Sequence, residues 1–176
     1  MTIWTFLAFA LDAIAIAAQA ITGRYLGAGD LDLTRVVTGR MVRWGLVSGV
    51  VTGVGLAAVA PFLGVLFTGD EAVRDLLWPV LLVAAVFQPI AGVVFVLDGV
   101  LIGAGDGRYL AWGGVWVLIA FTPLAWLAVE LSQIAVGGGL IWLWAAFGVG
   151  FMGSRAVVLL HRARGSAWLV PGADLT

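Results

Sequence analysis

Residues 76–103 read LLWPVLLVAAVFQPIAGVVFVLDGVLIG, and this stretch decides the fold. Its only charged residue is Asp98. A helix needs about 20 mostly apolar residues to cross the roughly 30 Å hydrocarbon core of a bilayer, and this run is longer. A membrane β-strand would need only about 9–11 residues and would alternate apolar with polar side chains. The run does not alternate, so it reads as a transmembrane helix.

Four more runs of this kind lie outward from it. They span residues 3–22, 44–67, 109–129 and 140–160. The chain is therefore expected to be an all-α membrane protein of five transmembrane helices in one bundle, residues 1–165. Residues 166–176 follow as a cytoplasmic tail. The longest connection, Asp32–Arg43, reads as a short interfacial helix. Composition agrees, with 62% of the 176 residues hydrophobic and 11% charged, against about 25% charged in a soluble domain.

Several function classes fall away. The net charge of −1 gives no basic field for nucleic acid. Without cysteine there is no disulfide, thiolate metal site or thiol nucleophile. His161 is the single histidine and stands beside Arg162 and Arg164. A zinc site needs about three or four ligands, so His161 reads as a solvated residue and no metal or cofactor is expected. No nucleophile has a histidine partner and no Walker motif occurs, so the chain does not read as an enzyme. Met1–Trp4 carries no positive segment, and the apolar run after it continues to Thr22, so no cleavable signal peptide is read.

The arginines orient the bundle. All nine basic residues are arginine. If five helices alternate, Arg24, Arg35, Arg40, Arg43, Arg108, Arg155, Arg162 and Arg164 share one side, and only Arg74 lies on the other. The positive-inside rule places the arginine-rich side in the cytoplasm, with the N-terminus outside, as for a multi-pass protein of the plasma (inner) membrane. Trp4, Trp78, Trp126, Trp142 and Trp144 fall near the outer ends and Trp44 and Trp112 near the inner ends, as interfacial anchors do.

Small residues mark contact faces. Gly45, Gly49 and Gly53 repeat every four residues on the second helix, and Gly99 and Gly103 do so on the third. Such spacing lets two backbones approach closely. Pro89, in the middle of the third helix, is expected to kink it and free a carbonyl.

The polar residues within the spans carry the functional information. Asp12 sits near the centre of the first helix, where an ionised carboxylate costs about 2.5–3.5 kcal/mol on insertion scales. Ala8, Asp12, Ala15, Gln19 and Thr22 form one small, polar stripe, read as facing the bundle interior or a wet cavity. Asp98 lies nearer the arginine-rich interface. Both a functional role and a structural one, as acceptor for a neighbouring helix or for Arg108, fit it. Gln88 is a candidate lining partner. A carboxylate in a poorly hydrated site can take a proton from one side and release it to the other as hydration changes, which suits proton or cation coupling. Gly-Ala-Gly-Asp occurs at Gly27–Asp30 and at Gly103–Asp106, each ending a helix before an arginine and the next span. The recurrence fits duplication of a helix hairpin or simply a twice-used glycine stop.

At these motifs the chain resembles a known family. Phe6–Ala20, Gly23–Asp30, Leu66–Asp70, Gln88-Pro89 and above all Phe95–Asp106 are similar, in order and spacing, to the C-terminal portion of multidrug and toxic compound extrusion (MATE) transporters of the DinF-type branch. The resemblance implies two six-helix bundles rocking around a central cavity, and the five helices here would be the eighth to twelfth. It implies a secondary active antiporter that exports drugs, organic cations or small metabolites against protons or sodium. Asp12 and Asp98 match acidic positions of the DinF-type pattern. Ala91 and Gly92 lie where sodium-coupled members carry a carboxylate, so that sodium site is not carried over. The family's N-terminal bundle has no counterpart here, so the chain reads as a fragment that needs that bundle as partner. The competing reading is a non-transporting membrane interaction or scaffold protein, in which Asp12 and Asp98 would be structural.

Overall fold

The computed structural model describes residues 2–134 and 138–172. The last four residues of the expected tail, 173–176, lie outside them. Among the described residues the regular structure is helical: α1 (Thr2–Gly27), α2 (Leu31–Phe67), α3 (Glu71–Gly103), α4 (Gly107–Ile134), α5 (Gly139–Ala146), a π-helical segment (Phe147–Gly153) and α6 (Ser154–Arg164). The last three run on as one span, so five helices are long and apolar enough to cross a membrane. α3 is the central mast and the most buried of the five. It packs against α1 and α2 on one side and against the fifth span on the other, while α4 leans mainly on the fifth span.

α2 differs from expectation. The segment Asp32–Arg43 is not a separate interfacial helix but the start of one continuous helix. Asp30 caps it, its carboxylate accepting from the Leu33 N–H at 3.0 Å. At about 1.5 Å per residue the 37 residues of α2 run roughly 55 Å, well beyond the hydrocarbon core. The overhang is the part that carries Asp32, Arg35, Arg40 and Arg43, charges that belong in the interface. No helix breaker separates the two segments, so the chain continues as one rod.

The two Gly-Ala-Gly-Asp stretches fold identically in their backbone bonding. Gly29 and Gly105 take φ of 76° and 73°, a left-handed conformation that favours glycine. The Asp30 N–H then reaches the Tyr25 carbonyl at 3.1 Å, and the Asp106 N–H reaches the Leu101 carbonyl at 3.0 Å. Each is the long backbone bond of a Schellman helix stop. The α1–α2 and α3–α4 hairpins thus share one turn, and the wall residues around it place both turns and the chain's last described residues at the same end. Trp4, Phe67, Leu77 and Trp144 gather at the opposite end.

The α2 ladder lies against α3 backbone to backbone. A Cβ at Gly45 would stand 2.5 Å from the Gly92 carbonyl oxygen, and one at Gly53 would stand 2.6 Å from that of Ala85. Pro89 has no N–H to bond the carbonyl four residues earlier, which is Ala85's. The freed carbonyl is therefore the atom that Gly53 approaches. The second ladder, Gly99 and Gly103, lies on the backbone of Ala15 and Gln19 of α1.

The fifth span holds a feature the sequence reading does not anticipate. Its middle turns widen into a π-helix over Phe147–Gly153, which contains three glycines. The Phe87 ring presses into the space a Cβ at Gly148 would take. Phe147 and Phe151 stack at 5.3 Å. The Ser154 hydroxyl donates back to the Gly150 carbonyl. Beyond α6 the chain folds onto the bundle. Trp168 is buried, its ring N–H donating to the carbonyls of Ala163 at 3.2 Å and Gly165 at 3.1 Å.

Candidate functional site

The buried residues of α1 are Leu11, Ala15, Ala18, Thr22 and Leu26, a helical stripe that faces the bundle. The expected stripe is one residue out of register with this face. Ala15 and Thr22 belong to both, but Asp12 and Gln19 stand on the open side of α1 and Leu11 is the core residue. α3 brings Gly99 onto the backbone of Ala15 and Gly103 onto that of Gln19, and the buried side of α1 along this contact is formed by Leu11, Ala15, Ala18 and Thr22.

Asp12 nevertheless has company. It borders a groove of about 170 Å³ between α1 and α3, whose walls include Ala15, Gln19, Phe95, Asp98 and Gly99. Three of the four polar residues singled out from the sequence thus meet in one place. The fourth does not. Gln88 is fully buried beside Gly49 and Gly53 of α2, and its side-chain amide has no hydrogen-bond partner among the described residues. Buried amides are seldom left so, and a stranded group costs about 1–3 kcal/mol.

The two aspartates have different electrostatic situations. Asp98 is clamped by Arg155, whose Nη2 donates to Oδ1 at 2.6 Å and whose Nε donates to Oδ2 at 3.4 Å. Arg155 also donates from Nη1 to the Leu110 carbonyl at 3.3 Å, tying α6 to α4 as well. The acceptor role for Asp98 is thus real, but the donor is Arg155 and not Arg108. A sequence signal existed: Arg155 falls inside the apolar run 140–160, and a cation at that depth calls for an anion. Asp12, by contrast, has no ion pair or hydrogen bond among the described residues. A second clamp lies nearer the helix ends. Arg162 donates to Asp106 at 2.6 and 3.1 Å and lies 4.6 Å over the Tyr109 ring, and the Tyr109 hydroxyl donates to the Val158 carbonyl at 2.9 Å. Among the described residues no group of three or more His, Asp or Glu side chains could hold a metal ion.

Ionisable side chains on a shared groove within membrane-spanning helices mark a candidate functional site. Comparison places the chain more closely. The MatE family model matches residues 1–127, and the chain belongs to that family. Among curated relatives, Protein DETOXIFICATION 42 of Arabidopsis thaliana is 32% identical over 158 residues, 90% of this chain and 29% of that protein. Protein DETOXIFICATION 44, chloroplastic, of the same plant is 31% identical over 147 residues, 81% of this chain and 26% of its own length. Protein DETOXIFICATION 43 is 29% identical over 165 residues, 92% and 30%. The chain therefore spans under a third of the length of these relatives. No solved structure gives a significant match.

Proposed function

We propose that this chain forms the C-terminal helical bundle of a secondary active efflux transporter of the DinF-type branch, with Asp12 as the ion-coupling carboxylate. The observation that carries the proposal is the difference between the two aspartates. Asp98 has a guanidinium that neutralises it in place. Asp12, near the middle of α1, has none and opens onto the α1–α3 groove. A free carboxylate at that depth exchanges a proton or cation with whichever side hydrates it, whereas a clamped one is held.

The open face of α1 supports a second bundle across it, in the same chain or another. With that bundle in place, Asp12 and Gln19 line a wet central cavity; without it they would lie against lipid, at the cost intramembrane charges carry. The substrate class is a drug, an organic cation or a small metabolite, and the bundle exports it against protons or sodium. The arginine-rich end faces the cytoplasm of a plasma membrane.

The test is transport of an organic-cation dye by the assembled two-bundle transporter in vesicles, with pH and sodium gradients imposed separately. Asp12→Asn should abolish gradient-driven uptake while leaving the protein folded. Unchanged uptake would remove Asp12 from the coupling step.

A further inference from the structure

Away from the α1–α3 groove, the overhang of α2 faces the last turn of α6 and the folded-back segment after it. Between them lies a cavity of about 730 Å³, whose walls include Arg35, Thr38, Gly39, Arg43, Arg164 and Trp168. Arg35, Thr38, Gly39 and Arg43 are spaced i, i+3, i+4 and i+8, so they share one face of α2. None of the three arginines has an ion-pair or hydrogen-bond partner among the described residues, and none of the described wall residues is acidic. Three cations converge on one space with nothing to neutralise them.

Thr38 supplies the second observation. It is only 7% exposed, and its hydroxyl has no partner. The other threonines of α2 bond back to their own helix, Thr34 to the Asp30 carbonyl at 2.6 Å and Thr52 to the Ser48 carbonyl at 2.9 Å. Thr38 does not. Thr38 stands on the cavity wall with that hydroxyl unpartnered, and threonine has two χ1 wells open to it in a helix. The space at Gly39 is open, since a Cβ there would meet nothing within 4 Å.

We infer that this cavity is a binding site for a phosphate group, held by Arg35, Arg43 and Arg164 and by the Thr38 hydroxyl. Guanidinium forks match phosphate oxygens, and a hydroxyl donor completes the shell. The arginines beside Trp44 suit the membrane interface, where an anionic phospholipid carries its phosphodiester. A free phosphate offers the same chemistry from solution. The inference stands apart from the coupling role of Asp12, because the cavity is walled by other helices and uses none of the groove's carboxylates.

Native mass spectrometry of the chain released from bilayers of equal phosphatidylglycerol and phosphatidylcholine tests it. Phosphatidylglycerol should be retained in preference. Arg35→Gln, Arg43→Gln and Arg164→Gln together should lower that retention on the order of a hundredfold, taking about fivefold for each cation. Gly39→Leu keeps every charge but fills the space, and should also release the lipid. Arg24→Gln, Arg40→Gln and Arg108→Gln together remove the same charge from outside the cavity but take no guanidinium fork from the phosphate, so they should lower retention far less than the first triple variant. Millimolar inorganic phosphate separates the sources: displacement of the lipid shows that a free phosphate uses the same groups, and persistence shows that the headgroup is the ligand. Equal loss in the two triple variants, or no preference for phosphatidylglycerol together with no phosphate binding, would overturn the inference.

Discussion

α3 meets α2 and the fifth span through two seams of opposite character. Toward α2 the contact is backbone on backbone, set by Gly45, Gly49 and Gly53 against Gly92, Gln88 and Ala85. Toward the fifth span it is charge and hydrogen bond, set by Asp98–Arg155 and, at the turn after α3, by Asp106–Arg162. The first seam gains from dispersion at close range and tolerates no side chain. The second adds its charges to apolar contacts such as Phe87 against Gly148, and it depends on keeping both signs of charge. The contrast shows how a bundle without a hydrophobic drive between its helices can still fix each pair.

The largest effect should come from filling the first seam. A Cβ at Gly49 would overlap the Gln88 backbone, so Gly49→Leu must push α2 off α3. Its cost should exceed about 3 kcal/mol, the usual upper range for overpacking, in reversible unfolding of the detergent-solubilised protein. Gly55 has open space at its Cβ, and Gly55→Leu should stay within about 0.5 kcal/mol. If the two variants unfold alike, the seam is not close-packed.

The second seam should respond less, and in a way the first cannot. Arg155→Ala leaves Asp98 unpaired. A fully buried pair loses about 3–5 kcal/mol in this way, but the side chains here are 16% and 27% exposed, so a loss on the order of 2 kcal/mol is expected. Adding Asp98→Asn to Arg155→Ala should recover more than half of the loss, because a neutral amide needs no counter-charge. No recovery would mean that Arg155 acts through packing alone. The smallest change belongs to Asp12→Asn, which touches neither seam and should leave unfolding within about 0.5 kcal/mol even as transport fails.

This contrast also explains what could be read from the sequence. The five spans were legible because length and apolarity alone decide them, and the glycine ladders because a four-residue repeat fixes a helix face. The Gly-Ala-Gly-Asp turns were legible because a glycine at that position selects a left-handed stop. The partner of Asp98 was half legible: the depth of Arg155 in its apolar run calls for an anion, but which acid it meets depends on the packing of α6 on α3. Polarity alone leaves the Asp12–Gln19 edge of α1 facing either the bundle interior or a wet cavity, and only the packing of α3 shows that Leu11 and Ala18 take the buried side. The continuity of α2 was hidden by its charges, which the sequence reading took for a break between helices. The π-helical turn carried only a glycine-rich signal that ordinary membrane helices share.

Coupling through Asp12 requires that the Asp12 edge of α1 meet water inside the assembled transporter. Because the chain has no native cysteine, Asp12→Cys and Val54→Cys each give a single reactive site in it, the second on the lipid-exposed side of α2. A charged, membrane-impermeant maleimide should modify position 12 readily and position 54 hardly at all, with the transported dye protecting position 12. Equal and low modification at both positions would place the Asp12 edge in lipid and contradict the account.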